Sequence, residues 1–178
     1  MGRDILVDGY NIIKRSPSFQ ALLARNLEAA RQQLIHQLVN RYRHTPHQVI
    51  VVFDGNDARE QVQYEHRIRI IYSCYGETAD SVIARLATAS RAAGREVEMY
   101  SDDREVQQMV ARQGGNVGTS AQLTSQLHAA PRDVTHRTRH RIAMRKKYGL
   151  APMYYSGDDD EVEPARFPGK KKSSHRKS

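Results

Sequence analysis

Short apolar runs rich in valine and isoleucine recur along the first two thirds of the chain. They lie at residues 5–7, 49–53, 68–71 and 97–99, with a weaker one at Val117. Each run is too short for a helix and is typical of a strand that is buried on both faces. The pattern therefore predicts about five strands.

Helical periodicity separates these runs. Between the first two, apolar residues recur every three or four positions, which predicts one helix from about Ser18 to the segment 44–46. Its inward stripe consists of Leu23, Leu27, Ala30, Leu34, Leu38 and Tyr42. Two further helices are predicted over about 78–93 and 103–113, and each is followed by glycine, which commonly ends a helix.

Strands that alternate with helices in this way predict an α/β fold. We expect a three-layer sandwich with a parallel sheet of about five strands, joined by right-handed crossovers. The segment 55–67 is polar and has no clear period, so it is either a short helix or an ordered loop over the sheet edge. Residues 120–130 and 132–147 are predicted to be helical again, and the second of these segments is strongly basic.

The composition changes after residue 148. From there the chain is rich in proline, glycine and serine and contains runs of charge of one sign. Such a composition is typical of disorder. We therefore expect a folded domain over residues 1–148, which includes the basic C-terminal helix, and a disordered charged tail over residues 149–178.

The composition also excludes several classes of protein. The single cysteine, Cys74, cannot form an internal disulfide, which excludes a secreted disulfide scaffold. No stretch approaches the roughly 20 apolar residues of a membrane span, and residues 1–11 show no signal-peptide pattern. We expect a cytoplasmic protein with no membrane partner, and the sequence leaves its oligomeric state open.

The positive charge is concentrated in the last quarter of the chain. The 178 residues carry 28 Lys+Arg against 20 Asp+Glu, a net charge of +8. Residues 1–130 contribute +1 of this charge and residues 131–178 contribute +7. Such an extension either binds nucleic acid or only keeps the protein solvated. The candidate RNA phosphate contacts in the basic helix are Arg137, Arg141, Arg145 and Lys146.

Acidic residues follow three of the predicted strands and also begin a helix. They are Asp8 after the first strand, Asp54 after the second, Asp102 and Asp103 after the fourth, and Asp80 in the second helix with Glu77 three residues before it. In open parallel sheets, ligands bind at the carboxyl ends of the strands. We therefore expect these side chains to project to one edge of the sheet.

Carboxylates that lie close together repel one another and stay ionised only beside a cation. Hard oxygen ligands select Mg²⁺ or Mn²⁺, and such an ion near a phosphodiester can ionise a water and stabilise the leaving oxygen. The cluster therefore predicts a metal-dependent nuclease. For any one of these residues alone, a helix N-cap or a turn is the competing interpretation. Convergence favours the metal site, since Asp8 and Asp54 have no obvious capping role in the sequence.

Three polar residues near the carboxylates are candidates for binding substrate. Asn11 either bonds a metal-bound water or the scissile phosphate, or it closes the turn after Asp8. Tyr10 either stacks on a base or packs against the first helix. Ser120 either supports the metal ligands through a hydrogen bond or caps a helix.

Four motifs together resemble one known family. At VDGYN, FDG, ETAD and SDDREVQ the sequence resembles the NYN domain family, in particular its YacP-like branch, over roughly residues 3–130. The resemblance implies a sheet of five parallel strands similar to that of PIN nuclease domains, a Mg²⁺ or Mn²⁺ site and hydrolysis of RNA. Members of this branch look like ribosome-associated mRNA endonucleases.

The resemblance also implies roles for individual residues. Asp8, Asp80 and Asp103 take the places of the metal ligands, and Asp54 is the acid after the second strand. Because the fourth motif has two adjacent acids, Asp102 is the second choice for the ligand at Asp103. Glu77 stands where other NYN branches often carry a basic residue. If it binds, a second metal is plausible; if it does not, one ion is expected.

Two hypotheses follow. In the first, the protein is a metal-dependent endoribonuclease that cleaves RNA, including mRNA on the ribosome, by attack of a metal-activated water. In the second, it is a non-catalytic RNA- or ribosome-binding module, since the +7 extension explains binding without chemistry.

Overall fold

Strands and helices alternate along residues 2–129, the part of the chain that this computed structural model describes. The strands are β1 (Asp4–Asp8), β2 (Gln48–Asp57), β3 (Gln61–Glu65), β4 (Ile68–Cys74), β5 (Val97–Tyr100) and β6 (Asn116–Gly118). The helices are α1 (Gly9–Arg15), α2 (Pro17–Leu23), α3 (Leu27–Tyr42), α4 (Ala79–Ala92), α5 (Arg104–Arg112) and α6 (Ser120–His128).

Several sequence predictions lie outside the described residues. They are the basic helix at 132–147 with Arg137, Arg141, Arg145 and Lys146, the boundary between residues 148 and 149, and the disordered tail at 149–178. All of these stay predictions.

The strands form one sheet in the order β3-β4-β2-β1-β5-β6. Five of them pair in parallel, and β3 pairs with β4 in the antiparallel direction at one edge. The predicted α/β sandwich with about five parallel strands is therefore confirmed, with one strand more than expected. The additional strand is β3, which lies in the segment 55–67. The prediction of a short helix or an ordered loop for this segment is therefore wrong. Most of β3 is exposed, so it carries no apolar run that would reveal it.

Helices cover both faces of the sheet, and each face has its own hydrophobic core. One core packs α1, α2, α3 and α6 against the sheet, and the other packs α4 and α5. The alternation of side chains along a strand divides β1 between them, with Ile5 and Val7 in the first core and Leu6 in the second. Because both faces of such a strand are buried, its sequence is a continuous apolar run.

The helical region before β2 differs from the prediction of a single helix. The chain instead forms α2 and α3, and the Asn26 side chain accepts a hydrogen bond from the Glu28 amide at 2.8 Å to begin α3. Helix α1 has no counterpart among the predictions, because it follows β1 directly and has only seven residues. None of the helices in residues 2–129 has both the length and the apolar character required to cross a bilayer.

The topology places a switch point at the carboxyl end of β1. The chain leaves β1 through α1, α2 and α3 to reach β2 on one side, and it enters β5 on the other side from α4. Loops at such a switch point diverge to opposite faces and leave a crevice between them.

Candidate active site at the carboxyl ends of the strands

A cleft of about 220 Å³ opens at this switch point. Its lining residues are Asp8, Tyr10, Asn11, Lys14, Asp54, Thr78, Ala79, Asp80 and Asp103. Four predicted carboxylates from four separate segments are therefore brought together, and Tyr10 and Asn11 lie beside them. Asp102, Glu77 and Ser120 do not line the cleft.

Asp8 lies at the end of β1 and is 7% exposed. Its Oδ1 accepts a hydrogen bond from the Asn11 amide at 3.1 Å, and its Oδ2 accepts one from the Ser101 hydroxyl at 3.0 Å. Burial raises the pKa of Asp8 to about 6, the negative charges of Asp80 and Asp54 add to the rise, and the two hydrogen bonds oppose it. A buried acid beside other acids gains most from a nearby cation.

The expectation that Asp8 has no capping role is wrong. Asp8 is the N-cap of α1, and its carboxylate binds the third amide of that helix. The capping interaction uses one lone pair of one oxygen, so it fixes the orientation of the carboxylate and leaves capacity for a further ligand.

Asp54 and Asp80 meet at the start of α4. The Asp54 Oδ1 accepts a hydrogen bond from the Ala79 amide at 2.8 Å, so Asp54 also satisfies a helix N-terminus. Asp80 lies in the first turn of α4. Burial raises the pKa of Asp80, and the charges of Asp103, Asp54 and Glu105 raise it further.

The two adjacent acids of the fourth motif point in different directions. Asp103 lines the cleft and is the N-cap of α5, with its Oδ1 accepting from the Glu105 amide at 2.8 Å. Asp102 turns toward α6, where it accepts from the Ser120 amide at 3.0 Å and also from the Ser120 hydroxyl. Asp102 and Ser120 therefore join the β5–α5 loop to the start of α6.

Asn11 completes the same set of loop contacts. Its Oδ1 accepts a hydrogen bond from the Asp102 amide at 2.9 Å. This bond ties the first turn of α1 to the loop after β5, across the cleft between them. Asn11 thus does more than close its own turn, and its predicted contact with water or phosphate stays a prediction.

Glu77 lies away from the carboxylate cluster. Its Oε1 is 3.5 Å from the Arg85 guanidinium, which also pairs with Glu60 at 2.5 Å. Its Oε2 is 3.6 Å from the Cys74 thiol. The structure therefore places Glu77 in a partly exposed ion-pair group with Arg85 and Glu60 just before α4, not in the cleft.

Two residues of the site were missed by sequence reasoning. Ser101 is fully buried and holds two parts of the site, because its hydroxyl donates to Asp8 and accepts from the Asp103 amide at 3.1 Å. The hydroxyl residue before the paired acids of SDD was the available signal. Lys14 lines the cleft from α1, and it was missed because that helix was not predicted.

Tyr10 packs on the core and also reaches the cleft. Its ring centroid lies 5.1 Å from that of Phe53, and its hydroxyl accepts a hydrogen bond from Arg31 at 3.3 Å. The predicted packing contact is thus present, although the partner is mainly Phe53 of β2. Stacking on a base stays a prediction.

A larger groove of about 530 Å³ runs along β5, β6 and α6. Among residues 2–129, Glu98 is the single acid that lines this groove, and it is bound by Arg3 at 3.0 Å and by the Tyr100 hydroxyl at 2.6 Å. Because this groove has no free cluster of acids, the smaller cleft is the candidate site.

A family model for the YacP-like NYN domain matches residues 5–154. The chain belongs to the YacP-like NYN domain family. It is 31% identical over 147 residues to the Bacillus subtilis protein YacP, covering 82% of this chain and 86% of that protein. NYN domains form a PIN-like nuclease family, and membership indicates a nuclease-type function related to RNA.

Solved structures agree with this assignment. The crystal structure of Rae1 (YacP) from Bacillus subtilis matches with a TM-score of 0.65 and 30% identity, covering 84% of this chain and 86% of that one. A point mutant of the same protein matches with a TM-score of 0.64 and 28% identity, covering 82% and 84% of the two chains. The family and the fold inferred from the four motifs are therefore confirmed.

Families of this kind generally use divalent metals, and the donor set of the cleft fits such an ion. In residues 2–129, no three His, Cys, Asp or Glu side chains converge closely enough to hold a metal directly. Mg²⁺, however, keeps several waters and takes only one or two carboxylates in many sites. Four carboxylates around one cleft, two of them with raised pKa, supply hard oxygen donors for such a hydrated ion.

Proposed function

We propose that the protein is a metal-dependent endoribonuclease that hydrolyses phosphodiester bonds in single-stranded RNA. One observation carries the proposal. Every ion pair among residues 2–129 involves an acid outside the cleft, and no Lys or Arg of these residues lies within 4.0 Å of the cleft carboxylates Asp8, Asp54, Asp80 and Asp103. Acids that have no cation partner in the described part of the chain, at a sheet switch point, are suited to a metal cation.

A hydrated ion would be held by Asp8, Asp80 and Asp103, in part through its bound waters. When bound, Mg²⁺ or Mn²⁺ supplies an activated water and stabilises negative charge on the leaving oxygen. Asp54 completes the shell or orients that water through its second oxygen, while its first oxygen stays on the Ala79 amide. Because Glu77 pairs with Arg85 and lies outside the cleft, the proposal uses one ion.

The remaining polar residues hold this arrangement in place. Ser101 fixes Asp8 against the loop that carries Asp103. Asn11, Asp102 and Ser120 link α1, α5 and α6 through the hydrogen bonds described above. Loops that are tied together in this way keep the carboxylates at fixed separations, which a metal site requires.

The partners and the location of the protein extend the same proposal. Residues 131–178, with their charge of +7, would bind RNA phosphates without sequence preference, with Arg137, Arg141, Arg145 and Lys146 as the contacts. An mRNA on the ribosome in the cytoplasm is the substrate expected from the family resemblance. The folded domain at 1–148 and the charged tail at 149–178 belong to this proposal as well.

Cleavage assays separate this enzyme from a non-catalytic RNA-binding module, which the same basic extension would also explain. Labelled single-stranded RNA and DNA are incubated with the protein in Mg²⁺, Mn²⁺ or EDTA, with and without ribosomes. Asp80→Asn and Asp103→Asn are expected to lower RNA cleavage at least about a hundredfold, because each removes charge where the ion binds. Asp57→Asn is the matched control, since this exposed acid lies at the end of β2 outside the cleft.

EDTA is expected to abolish cleavage, and Asp57→Asn to leave it unchanged. RNA binding without cleavage under every condition, including with ribosomes, would exclude the enzyme and favour the binding module. Cleavage that persists in both active-site variants would show that the chemistry takes place elsewhere.

A further inference from the structure

One wall of the cleft carries a positive charge. Tyr10 and Lys14 lie one turn apart on α1, and both line the cleft. The Lys14 ammonium is 5.9 Å from the centroid of the Tyr10 ring, which is within the range of a cation–π contact. Among residues 2–129, Lys14 is the only Lys or Arg that lines the cleft.

Lys14 forms no ion pair within the part of the chain that the structure describes. No carboxylate in residues 2–129 lies within 4.0 Å of its ammonium, although four carboxylates share its cleft. By contrast, Arg3, Arg31, Arg85 and Arg95 all form ion pairs with acids. The charge of Lys14 is therefore available to an anionic group that enters the cleft.

The Tyr10 ring beneath Lys14 is held on two sides. Phe53, which is fully buried, packs against the ring, and Arg31 donates a hydrogen bond to its hydroxyl. Arg31 is itself paired with Glu28 and lies 5.5 Å from the centroid of the Tyr72 ring. A ring fixed in this way restricts where the flexible lysine can place its ammonium, which lowers the entropy cost of binding an anion.

The size of the cleft indicates which anion it takes. Its volume of about 220 Å³ is smaller than that of most pockets that enclose a whole organic ligand. It therefore suits a phosphodiester group, with the bases left outside. The acidic wall of the cleft repels a phosphate unless a cation lies between them, whereas the Lys14 wall attracts it.

We propose that Lys14 binds a backbone phosphate of the RNA next to the bond that is cleaved, and that Tyr10 positions its ammonium. This inference rests on the proposed function, because it gives that cleft its substrate contact. Since Lys14 contacts phosphate and not a base edge, it adds affinity without sequence preference.

Salt-dependent binding of a single-stranded RNA oligomer tests the contact without requiring cleavage. The affinities are measured at several salt concentrations and a fixed Mg²⁺ concentration, in an Asp80→Asn background that prevents turnover. Lys14→Gln is expected to reduce the slope of log affinity against log salt by about 0.7, the value for one phosphate contact on a single strand. Lys14→Arg is expected to retain the wild-type slope.

Arg15→Gln is the matched control, because Arg15 is the next residue of α1, is exposed and does not line the cleft. It removes the same charge and is expected to leave the slope unchanged. An unchanged slope in Lys14→Gln, or an equal decrease in Arg15→Gln, would overturn the proposal. Absence of RNA binding by the parent protein would overturn it as well.

Kinetics of the active protein test the roles of both residues. Lys14→Gln is expected to raise KM for RNA about tenfold, the effect of losing a hydrogen bond to a charged group, with a smaller change in kcat. Tyr10→Leu is expected to raise KM as well, whereas Tyr10→Phe keeps the ring and its packing on Phe53, loses only the bond from Arg31, and is expected to raise KM less. A KM for Tyr10→Phe as high as that for Tyr10→Leu would overturn the positioning role.

The two proposals fail in different ways. If the parent protein binds RNA with a slope that depends on Lys14 but never cleaves it, the nuclease proposal fails and the phosphate contact stands. If cleavage is normal and metal-dependent but no Lys14 variant changes slope or KM, the nuclease stands and the phosphate contact fails.

Discussion

Strand β1 carries a buried aspartate at each end, and the two have opposite surroundings. Asp4 is 4% exposed and pairs with Arg95, whose Nε lies 2.8 Å from its Oδ1. Asp8 is 7% exposed and receives hydrogen bonds only from the neutral groups of Asn11 and Ser101. At the Asp4 end, Arg3 also pairs with Glu96 and Glu98. At the other end, Asp8 shares its cleft with three more acids, Asp54, Asp80 and Asp103.

The difference separates a structural acid from a functional one. At the amino end of the strand, each buried or half-buried acid has its cation within the fold, so its charge is compensated before any ligand arrives. At the carboxyl end, residues 2–129 supply acids without an ion-pair partner among themselves, which suits a cation from solution. Burial alone would have grouped Asp4 with Asp8, and only their partners distinguish them.

The largest expected effect that distinguishes Asp8 from Asp4 is the pH dependence of the free energy of unfolding that arises from Asp8. Its pKa rises from 3.8 to about 6 on folding, so the folded state holds the proton more tightly than the unfolded state does. In the metal-free protein, the contribution of Asp8 to stability therefore falls as pH rises from about 4 to 6. Above pH 6 the loss is complete, at about 3 kcal/mol.

Urea unfolding in EDTA across this pH range, with Asp8→Asn as the reference, measures the effect. The wild-type protein is expected to lose stability relative to Asp8→Asn as pH rises, and Mg²⁺ or Mn²⁺ at pH 7 is expected to restore part of it. If the difference between the two proteins is independent of pH, Asp8 titrates normally and the comparison with Asp4 loses its electrostatic basis.

A smaller effect is expected at the amino end of β1, where removal of the carboxylate of Asp4 lowers stability. Asp4→Asn removes the carboxylate that compensates Arg95 and is expected to lower the free energy of unfolding by about 1–2 kcal/mol at pH 7, because Arg95 is only partly buried. RNA cleavage at a temperature where the variant is folded should equal that of the wild type. A large loss of activity in the folded Asp4→Asn protein would mean that the two ends of β1 are not functionally distinct.

The smallest effect is expected at Glu77, which tests where the functional region ends. Glu77→Gln removes a partly exposed partner of Arg85, and such pairs contribute about 0–1 kcal/mol to stability. Both the melting temperature and the metal-dependent cleavage rate should stay close to those of the wild type. A weakened metal response in this variant would instead support the second ion that the sequence allowed.

The extent of prediction from sequence can be followed residue by residue. The parallel strands were predictable because burial on both faces requires continuous apolar runs such as 49–53. Strand β3 was not, since an exposed edge strand places no such demand on its residues. Helix α1 was not predicted, because a short helix that directly follows a strand leaves no polar gap between the two elements.

The candidate site shows the same division. Asp8 and Asp54 were identified because the ends of parallel strands meet at one edge whatever the details of the loops. Asp80 was identified because it begins the helix of the ETAD motif. The choice between Asp102 and Asp103 was open, because adjacent residues in a loop have no fixed period that assigns their side chains to a side. In the structure, the Ser120 amide draws Asp102 away and leaves Asp103 facing the cleft.

The sequence by itself determined the α/β class and the position of an acidic cluster, because these follow from local periodicity and from the geometry of parallel sheets, and the resemblance of its four motifs indicated the family. Only the tertiary structure decided which acids of residues 2–129 pair with a cation of the same segment and which do not, since ion pairs such as that of Asp4 with Arg95 join residues far apart in the chain. It also placed Lys14 beside Tyr10 at the cleft, through a helix that the sequence pattern did not predict. These partners, set by contacts between distant segments, distinguish the acids that stabilise the fold from those available to a metal.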